Sequence, residues 1–433
     1  MDPLPVQKIP VIQKALVVGG GIAGMIAALD IADHGFDVNL VEKNDRLGGN
    51  LAWLNHTIQG DDIQALLTNT LKRVEKHPKI QTHVKTQVTG AYGQVGRFFT
   101  TLSDEEGKVE TIKHGVTIFA TGGNEAVTSE YDYGVNPAVV TQKELEQKLF
   151  EKSIDPKNLS SMVMIQCVGS RQQLRNYCSR ICCVSALKNA FRLKDENPDI
   201  NIFVLYRDMM TYGFLESFYT KARKEGIIFI PYDLTRKPVV RTANDKDESS
   251  SQTFVEVFEP IIGRKIEIST DLIVLATGIV PALPGDLVES YGGSLDDDGF
   301  FREAESKWRP VDSLTEGIFA CGITLSPRSV SESIATAQAA AQRANRILSK
   351  QWLYSGKMVA EVRHSLCSVC LRCIDACPYG ARTLDLELNQ VLVNPARCQG
   401  CGSCAAVCPN SASVLSGCSD QAMMEVIDSA IFG

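Results

Sequence analysis

The chain has 433 residues, 44% hydrophobic and 22% charged, with a formal charge of −7. That composition is globular, is long enough for two or three domains, and excludes nucleic-acid binding as the main role because no basic block is present. Fourteen cysteines in a chain whose Met1 to Lys14 segment shows no secretory signal read as metal ligands before disulfides, so a cytoplasmic protein is expected.

The first region opens with a strand, Ala15 to Val18, that enters Gly19-Gly20-Gly21-Ile22-Ala23-Gly24 and continues as a helix-like run to His34. This is a G-x-G-x-x-G fingerprint in the context that gives it meaning. Gly19, Gly21, Ala23 and Gly24 allow a tight turn and the close approach of a pyrophosphate to a helix N-terminus. A second strand, Val38 to Val41, ends in Glu42, 18 residues beyond Gly24, where a carboxylate can take ribose hydroxyls, with Lys43 beside it. The stretch from Ala15 to Ala32 is too short and too rich in glycine to span a membrane.

The next motifs select FAD. Arg46-Leu47-Gly48-Gly49 resembles the second phosphate-side motif of two-dinucleotide-domain flavoproteins. Val116 to Gly122, with Ala120, Thr121 and Gly122 as its turn, and Ile273 to Gly278, with Thr277 and Gly278, resemble the paired strand-and-turn segments of that superfamily. Glu316 to Gly322 resembles its last FAD motif, although Cys321-Gly322 stands where those proteins usually carry Gly-Asp, so the usual carboxylate contact is missing. Ser329 to Leu348 reads as a helix with its N-terminus toward the flavin pyrimidine, Ser331 and Ile334 being expected flavin contacts.

The second region begins near Met162. In thioredoxin-reductase-like flavoproteins a second dinucleotide unit sits here, with its own glycine fingerprint for NAD(P)H. Instead, Met162 to Gln166 runs into Cys167, followed by Cys178, Cys182 and Cys183 and then a helix-like segment. Cys178 and Cys182 share a face if that segment is helical, and four thiolates can enclose one [4Fe–4S] cluster. A C-x-x-C dithiol is absent, and buried inert cysteines are the bland alternative. The polar stretch Asn244 to Gln252 reads as a hairpin, and the chain then returns to the first domain, since Asp271 to Gly278 repeats the pattern of Gly115 to Gly122.

The third region carries Cys367-x2-Cys370-x2-Cys373-x3-Cys377-Pro378 and Cys398-x2-Cys401-x2-Cys404-x3-Cys408-Pro409. This is the bacterial two-cluster ferredoxin run written twice, in which the fourth cysteine of each run ligates the other cluster. Cys367, Cys370, Cys373 and Cys408 would hold one cluster, and Cys398, Cys401, Cys404 and Cys377 the other. Cys321 and Cys418 are unmatched and read as inert.

Cys167-Val-Gly-Ser-Arg, Tyr177-Cys-Ser-Arg-Ile-Cys-Cys and Ala186-Leu-Lys-Asn-Ala, with the FAD motifs and the doubled ferredoxin run, resemble the flavoprotein (A-type) member of heterodisulfide reductase over nearly the whole chain. The resemblance implies an α/β flavoprotein of thioredoxin-reductase-like, two-dinucleotide-domain architecture with a C-terminal two-[4Fe–4S] ferredoxin domain. The expected domains are a split FAD domain (14–155 and 258–355), an insert with a cluster in place of NAD(P)H (156–257), and the ferredoxin (356–433). FAD and three [4Fe–4S] clusters are implied. So are B- and C-type partner subunits and ferredoxin, with a hydrogenase, formate dehydrogenase or NADH-linked module as electron donor. The chain is not itself a membrane protein, and a dimer within a hetero-oligomer is expected. It is expected to lack the extra N-terminal domain and further inserted ferredoxin module of the longest members, which leaves bifurcating and purely conducting roles both open.

Lys188, on the helix leaving Cys183, is a candidate hydrogen-bond donor to flavin N5, with a solvated helix lysine as the alternative. Arg171, Arg175 and Arg180 read equally as cluster counter-charges or surface arginines. An NAD(P)H-dependent flavoenzyme is the rival class; it would need a second glycine fingerprint, which the sequence does not show.

Overall fold

The computed structural model describes residues 7–244, 251–355, 358–395 and 398–432. Its first unit is a five-stranded parallel sheet in the order Ile318–Ala320, Val116–Phe119, Lys14–Val18, Asp37–Val41, Ile80–His83. The central strands are buried along most of their length because helices and an antiparallel sheet pack on them. Helix Ile22–Asp33 packs along helix Val330–Leu348. Alanines at 27, 28, 337, 340, 341 and 344 are all buried, so the two backbones approach closely. An antiparallel three-stranded sheet, Thr86–Gln94, Arg97–Asp104 and Val109–His114, joins the fourth strand of the chain back to the centre of the parallel sheet. Gln7–Pro10 pairs with Trp352–Ser355 and ties the two ends of this unit together.

The second unit is another parallel sheet, ordered Val139–Thr141, Leu272–Leu275, Ser161–Ile165, Asn201–Tyr206, Ile228–Pro231. It carries helices Gln142–Phe150, Cys182–Glu196 and Glu216–Lys224, and a flanking antiparallel sheet of Val239–Asn244, Ser251–Glu259 and Arg264–Thr270. Two chain crossings connect the units, and they pair with each other: Gly123–Glu125 runs antiparallel to Ile279–Pro281.

This topology corrects the expected domain limits of 156–257 for the insert. Val139–Thr141 and Leu272–Leu275 lie in the insert's sheet, so the insert occupies the chain between the paired crossings, and the FAD unit resumes at Ile279 rather than at 258. Asp271 to Gly278 does repeat Gly115 to Gly122, because both are parallel strands ending in an Ala-Thr-Gly turn. Likeness of local sequence reports likeness of local structure; it does not report which sheet a strand joins. The hairpin expected around 244–252 has its flanking strands paired at Asn244 and Ser251, and its turn, 245–250, lies outside the described residues.

The third unit is built on the internal repeat. Ala360–Val362 pairs with Ser413–Leu415, Arg382–Asp385 pairs with Gln390–Val393, and the short helices Arg372–Asp375 and Ser403–Ala406 pack together. The expected boundary at 356 falls outside the described residues. Among the described residues no helix is long and apolar enough to cross a membrane.

Candidate flavin and iron–sulfur sites

The glycines of the fingerprint are required by close contact. A Cβ on Gly24 would stand 1.8 Å from the Gly19 carbonyl oxygen, and one on Gly19, at φ +113°, would stand 2.2 Å from that of Ala120. In front of Gly21, the N-cap of helix Ile22–Asp33, a Cβ would meet nothing within 4 Å, which leaves open space before the helix N-terminus. The Arg46 to Gly49 loop lies against this turn: Gly48 donates to the Gly20 carbonyl at 2.9 Å, and a Cβ on Gly49 would be 3.1 Å from the Gly21 Cα. Leu47 packs on Gly20, while Lys43 and Arg46 are exposed at the rim.

Glu42 is buried and accepts from the Gly20 amide at 2.7 Å and from the Asn44 amide and side chain at 2.8 and 2.7 Å. A carboxylate offers about four lone-pair sites, so one remains for a ribose hydroxyl. The Ala120-Thr121-Gly122 turn is held by Thr324, whose hydroxyl accepts from the Gly122 amide at 3.0 Å. Gly322 presses on the fingerprint helix, a Cβ there falling 2.8 Å from that of Ala23, and its amide donates to Thr336 Oγ1 at 3.0 Å. No carboxylate follows Gly322; the next residue is Ile323. Helix Val330–Leu348 begins in a capping box between Ser329 and Glu332, with Ser331 exposed and Ile334 partly buried in its first turns. These residues fit a dinucleotide laid across the first sheet.

Thr277 and Gly278 are elsewhere. They end the insert's Leu272–Leu275 strand, and a Cβ on Gly278 would meet Ser179 Oγ at 2.6 Å and Ser170 Oγ at 3.0 Å. Their neighbours are the cysteine loop, not the fingerprint.

That loop is held in an unusual backbone. Cys167, Arg171 and Arg180 are all left-handed, with φ near 60° (60°, 56° and 59°), a conformation that costs non-glycine residues and concentrates at functional sites. Arg175 fixes it from inside, donating to the carbonyls of Val168, Gly169 and Thr277 at 2.9, 3.0 and 2.6 Å. Ser179 accepts from the Ile279 amide and Tyr177 donates to the Ile279 carbonyl, so the loop is pinned to the second crossing. Arg180 reaches the FAD unit and pairs with Glu332 at 2.6 Å. Arg171 pairs with Asp208 and also reaches Cys167.

Cys167, Cys178, Cys182 and Cys183 lie near enough to interact electrostatically. Burial pushes the Cys182 thiol strongly upward, and negative charge on any of the other three would push it further; burial likewise raises Cys167, and raises Cys183 to about 12. A redox-active dithiol needs a lowered thiol pKa. Four neighbouring sulfurs that resist ionisation by themselves would need positive charge beside them to act as thiolates, as an iron–sulfur cluster would supply.

Lys188 lies one turn further along helix Cys182–Glu196. Its Nζ is 2.6 Å from both carboxylate oxygens of Glu146, and Glu146 also accepts from the Asn55 amide of the FAD unit at 3.0 Å. Lys188 is therefore no solvated helix lysine; burial lowers its pKa and Glu146 opposes that shift. Sequence reasoning missed Glu146, which sits on a separate helix with no motif around it.

In the third unit the two cysteine runs interleave. One cavity is walled by Cys367, Cys370, Cys373 and Cys408, the other by Cys377, Cys398, Cys401 and Cys404. Among the described residues no group of three or more His, Cys, Asp or Glu is placed to hold a single metal ion; the ferredoxin-run cysteines line two small cavities. Cys321 is buried with its thiol pushed up to about 12, and Cys418 faces Met358.

A two-sheet flavoprotein framework joined to a pair of cysteine-lined cavities defines the class: a dinucleotide-binding oxidoreductase with [4Fe–4S] clusters. Residues 17–86 match the family model of an NAD(P)-binding Rossmann-like domain, and 360–409 that of a 4Fe-4S dicluster domain. The fold is similar to thioredoxin reductase from Lactococcus lactis, at TM-score 0.54 and 19% identity over 78% of this chain and 99% of that one. A CoB–CoM heterodisulfide reductase iron-sulfur polypeptide of the A type from Methanopyrus kandleri is 29% identical over 88% of this chain and 71% of its own length. The A-type polypeptide of the H2:CoB-CoM heterodisulfide,ferredoxin reductase of Methanothermobacter marburgensis is 28% identical over 92% and 73%. The chain is similar to these A-type heterodisulfide reductase polypeptides over most of its length, and it is an electron-transferring flavin and iron–sulfur oxidoreductase subunit.

Proposed function

We propose that this subunit holds one FAD and three [4Fe–4S] clusters and divides electron pairs taken from a partner between two single-electron routes. The observation that carries this reading is the cysteine quartet Cys167, Cys178, Cys182 and Cys183, standing where a second dinucleotide loop would begin its helix. The same observation disfavours a self-contained NAD(P)H-dependent enzyme, because the strand Ser161–Ile165 leads into cysteines rather than a glycine fingerprint.

When bound, FAD supplies the exchange between paired and single electrons, which cysteine-ligated iron alone does not. The chain's own residues do the rest. Gly21 and helix Ile22–Asp33 meet the pyrophosphate; Glu42 takes the ribose; helix Val330–Leu348 directs its N-terminus at the ring system. Lys188, anchored by Glu146, is proposed to donate to flavin N5 from the insert side. The Arg180–Glu332 pair connects the insert quartet to the flavin-facing helix, so one route leaves through the insert and the other through the ferredoxin unit.

As in the relatives named for heterodisulfide and ferredoxin, we place the protein in a cytoplasmic complex with B- and C-type subunits, a hydrogenase, formate dehydrogenase or NADH-linked donor, and ferredoxin. A dimer within that hetero-oligomer is proposed, and bifurcation is the favoured mode over simple conduction to a quinone-linked or sulfur-metabolising complex.

The test is iron and FAD content of anaerobically purified protein beside Cys178→Ser. Three clusters give about 12 iron per FAD, and the variant about 8. Equal iron in both, at about 8, would leave thiols in the insert and defeat the three-cluster reading.

A further inference from the structure

Arg382 opens the strand Arg382–Asp385, five residues after Cys377, and only 3% of it is exposed. It forms part of the wall of both cysteine-lined cavities. Its Nη2 donates to Cys404 Sγ at 3.1 Å and to the Ser413 hydroxyl, and its Nη1 is buried without a hydrogen-bond partner. Ser413 is the equivalent position in the internal repeat, five residues after Cys408, so the two halves of the ferredoxin unit differ at this point by a whole charge.

A guanidinium keeps its proton at any physiological pH, and a buried charge without a counter-charge is strongly unfavourable. The partners of Arg382 among the described residues are a thiol and a hydroxyl, with no carboxylate. Its compensation has to come from the eight cysteine sulfurs around it. A cube of four irons held by four thiolates is an anion, and reduction by one electron adds one more negative charge. A fixed cation in low dielectric favours that added charge, and so do hydrogen bonds to the sulfurs.

Those hydrogen bonds differ in the charge of their donors. Cys398 accepts from the Ala360 amide at 3.4 Å and Cys377 from the Ala381 amide at 3.3 Å; Cys401 lies 3.4 Å from the Ser403 hydroxyl, and Cys404 accepts from Arg382. In the other quartet Cys408 accepts from the Ser413 amide at 3.4 Å and also interacts with the Asn410 and Ala412 amides, so what sets the first quartet apart is the charged donor on Cys404.

We propose that Arg382 is the shared counter-charge of the two ferredoxin-unit clusters, and that it sets the one held by Cys377, Cys398, Cys401 and Cys404 at the higher potential. The proposal rests on both cavities holding [4Fe–4S] clusters. It makes the cluster pair directional: an electron entering the unit comes to rest on the side of Cys404.

The test is an EPR-monitored titration of the full chain with dithionite, iron being counted on the same samples, for wild type, Arg382→Gln and Arg382→Lys. Gln keeps a donor and removes the charge; Lys keeps the charge. In R382Q with full iron, both potentials fall. The higher one falls further, by a tenfold change in its reduction equilibrium or more, about 59 mV for one electron, and the gap between the two narrows. R382K recovers at least half of that change. Unmoved potentials in iron-complete R382Q overturn the proposal, as does an equal fall of both for its directional part. Loss of iron in R382Q and R382K alike makes Arg382 a buttress of the cage and overturns the electrostatic role. An iron count in wild type that shows no second ferredoxin-unit cluster defeats the underlying cluster reading instead.

Discussion

Lys188 and Glu146 form an ion pair buried on both sides, with side-chain exposures of 13% and 4%, whereas pairs such as Arg73–Asp33 stand largely in solvent. Removing one member of such a pair strands the other in low dielectric, at about 3–5 kcal/mol. Lys188→Ala and Glu146→Gln should each destabilise the insert on that scale, and Lys188→Met with Glu146→Leu should recover most of it. Flavin potential separates structure from function: K188A shifts it to more negative values, because a cation near N5 favours the reduced ring. A folded K188A with wild-type flavin potential and turnover would remove Lys188 from the flavin.

Arg175 uses its fork on three carbonyls of the cysteine loop and its neighbour. Arg175→Ala leaves the Val168 and Gly169 carbonyls without that donor, at about 1–3 kcal/mol each, while Thr277 keeps the Ser170 hydroxyl. Iron should fall by about four atoms per chain, one cluster's content, while FAD is retained. Arg175→Lys should restore little, since an ammonium cannot bridge the three acceptors. Iron and flavin counts on purified protein decide it.

Gly24 has no room for a side chain, because its Cβ would stand inside the Gly19 carbonyl. Gly24→Ala should abolish FAD binding and leave the ferredoxin clusters loaded. The absorbance spectrum would then show iron–sulfur charge transfer without the flavin bands, and full flavin occupancy in G24A would contradict the packing argument.

His114 is fully buried beneath the first sheet, and burial lowers its pKa to about 4. Its Nδ1 faces the Val116 carbonyl at 2.9 Å, which can only accept, so Nδ1 carries the proton and Nε2 accepts from the Thr100 hydroxyl, itself bonded to Tyr291. Protonation would break this chain. The unfolded state therefore binds more protons than the folded one between pH 6.5 and about 4, and stability declines as pH falls through that window, by about 3 kcal/mol. Flavin release followed by fluorescence against pH should show the decline, and His114→Gln should flatten it.

Much of this molecule was legible in the sequence because its chemistry is written in short, local patterns. The glycine fingerprint, Glu42 and the doubled cysteine run each depend on spacing within about 20 residues, and the fold lines each of two cavities with four of the eight ferredoxin-run cysteines. Thr277 and Gly278 fall at the end of a strand of the insert's sheet for the complementary reason. Their Ala-Thr-Gly turn is shared by both sheets, and strand membership is set by hydrogen bonds to Val139–Thr141 and Ser161–Ile165, which both lie over a hundred residues away.

The sequence by itself determined the cofactor chemistry, since the ligand types and their spacings suit few groups other than a dinucleotide and iron–sulfur cubes. Only the tertiary structure decided what surrounds them: Glu146 beneath Lys188, Arg175 inside the cysteine loop, and Arg382 between two cavities. None of these residues belongs to a motif. Each acts through a charge or a donor brought close by packing, and electrostatic influence depends on distance and burial in the folded chain rather than on position along it.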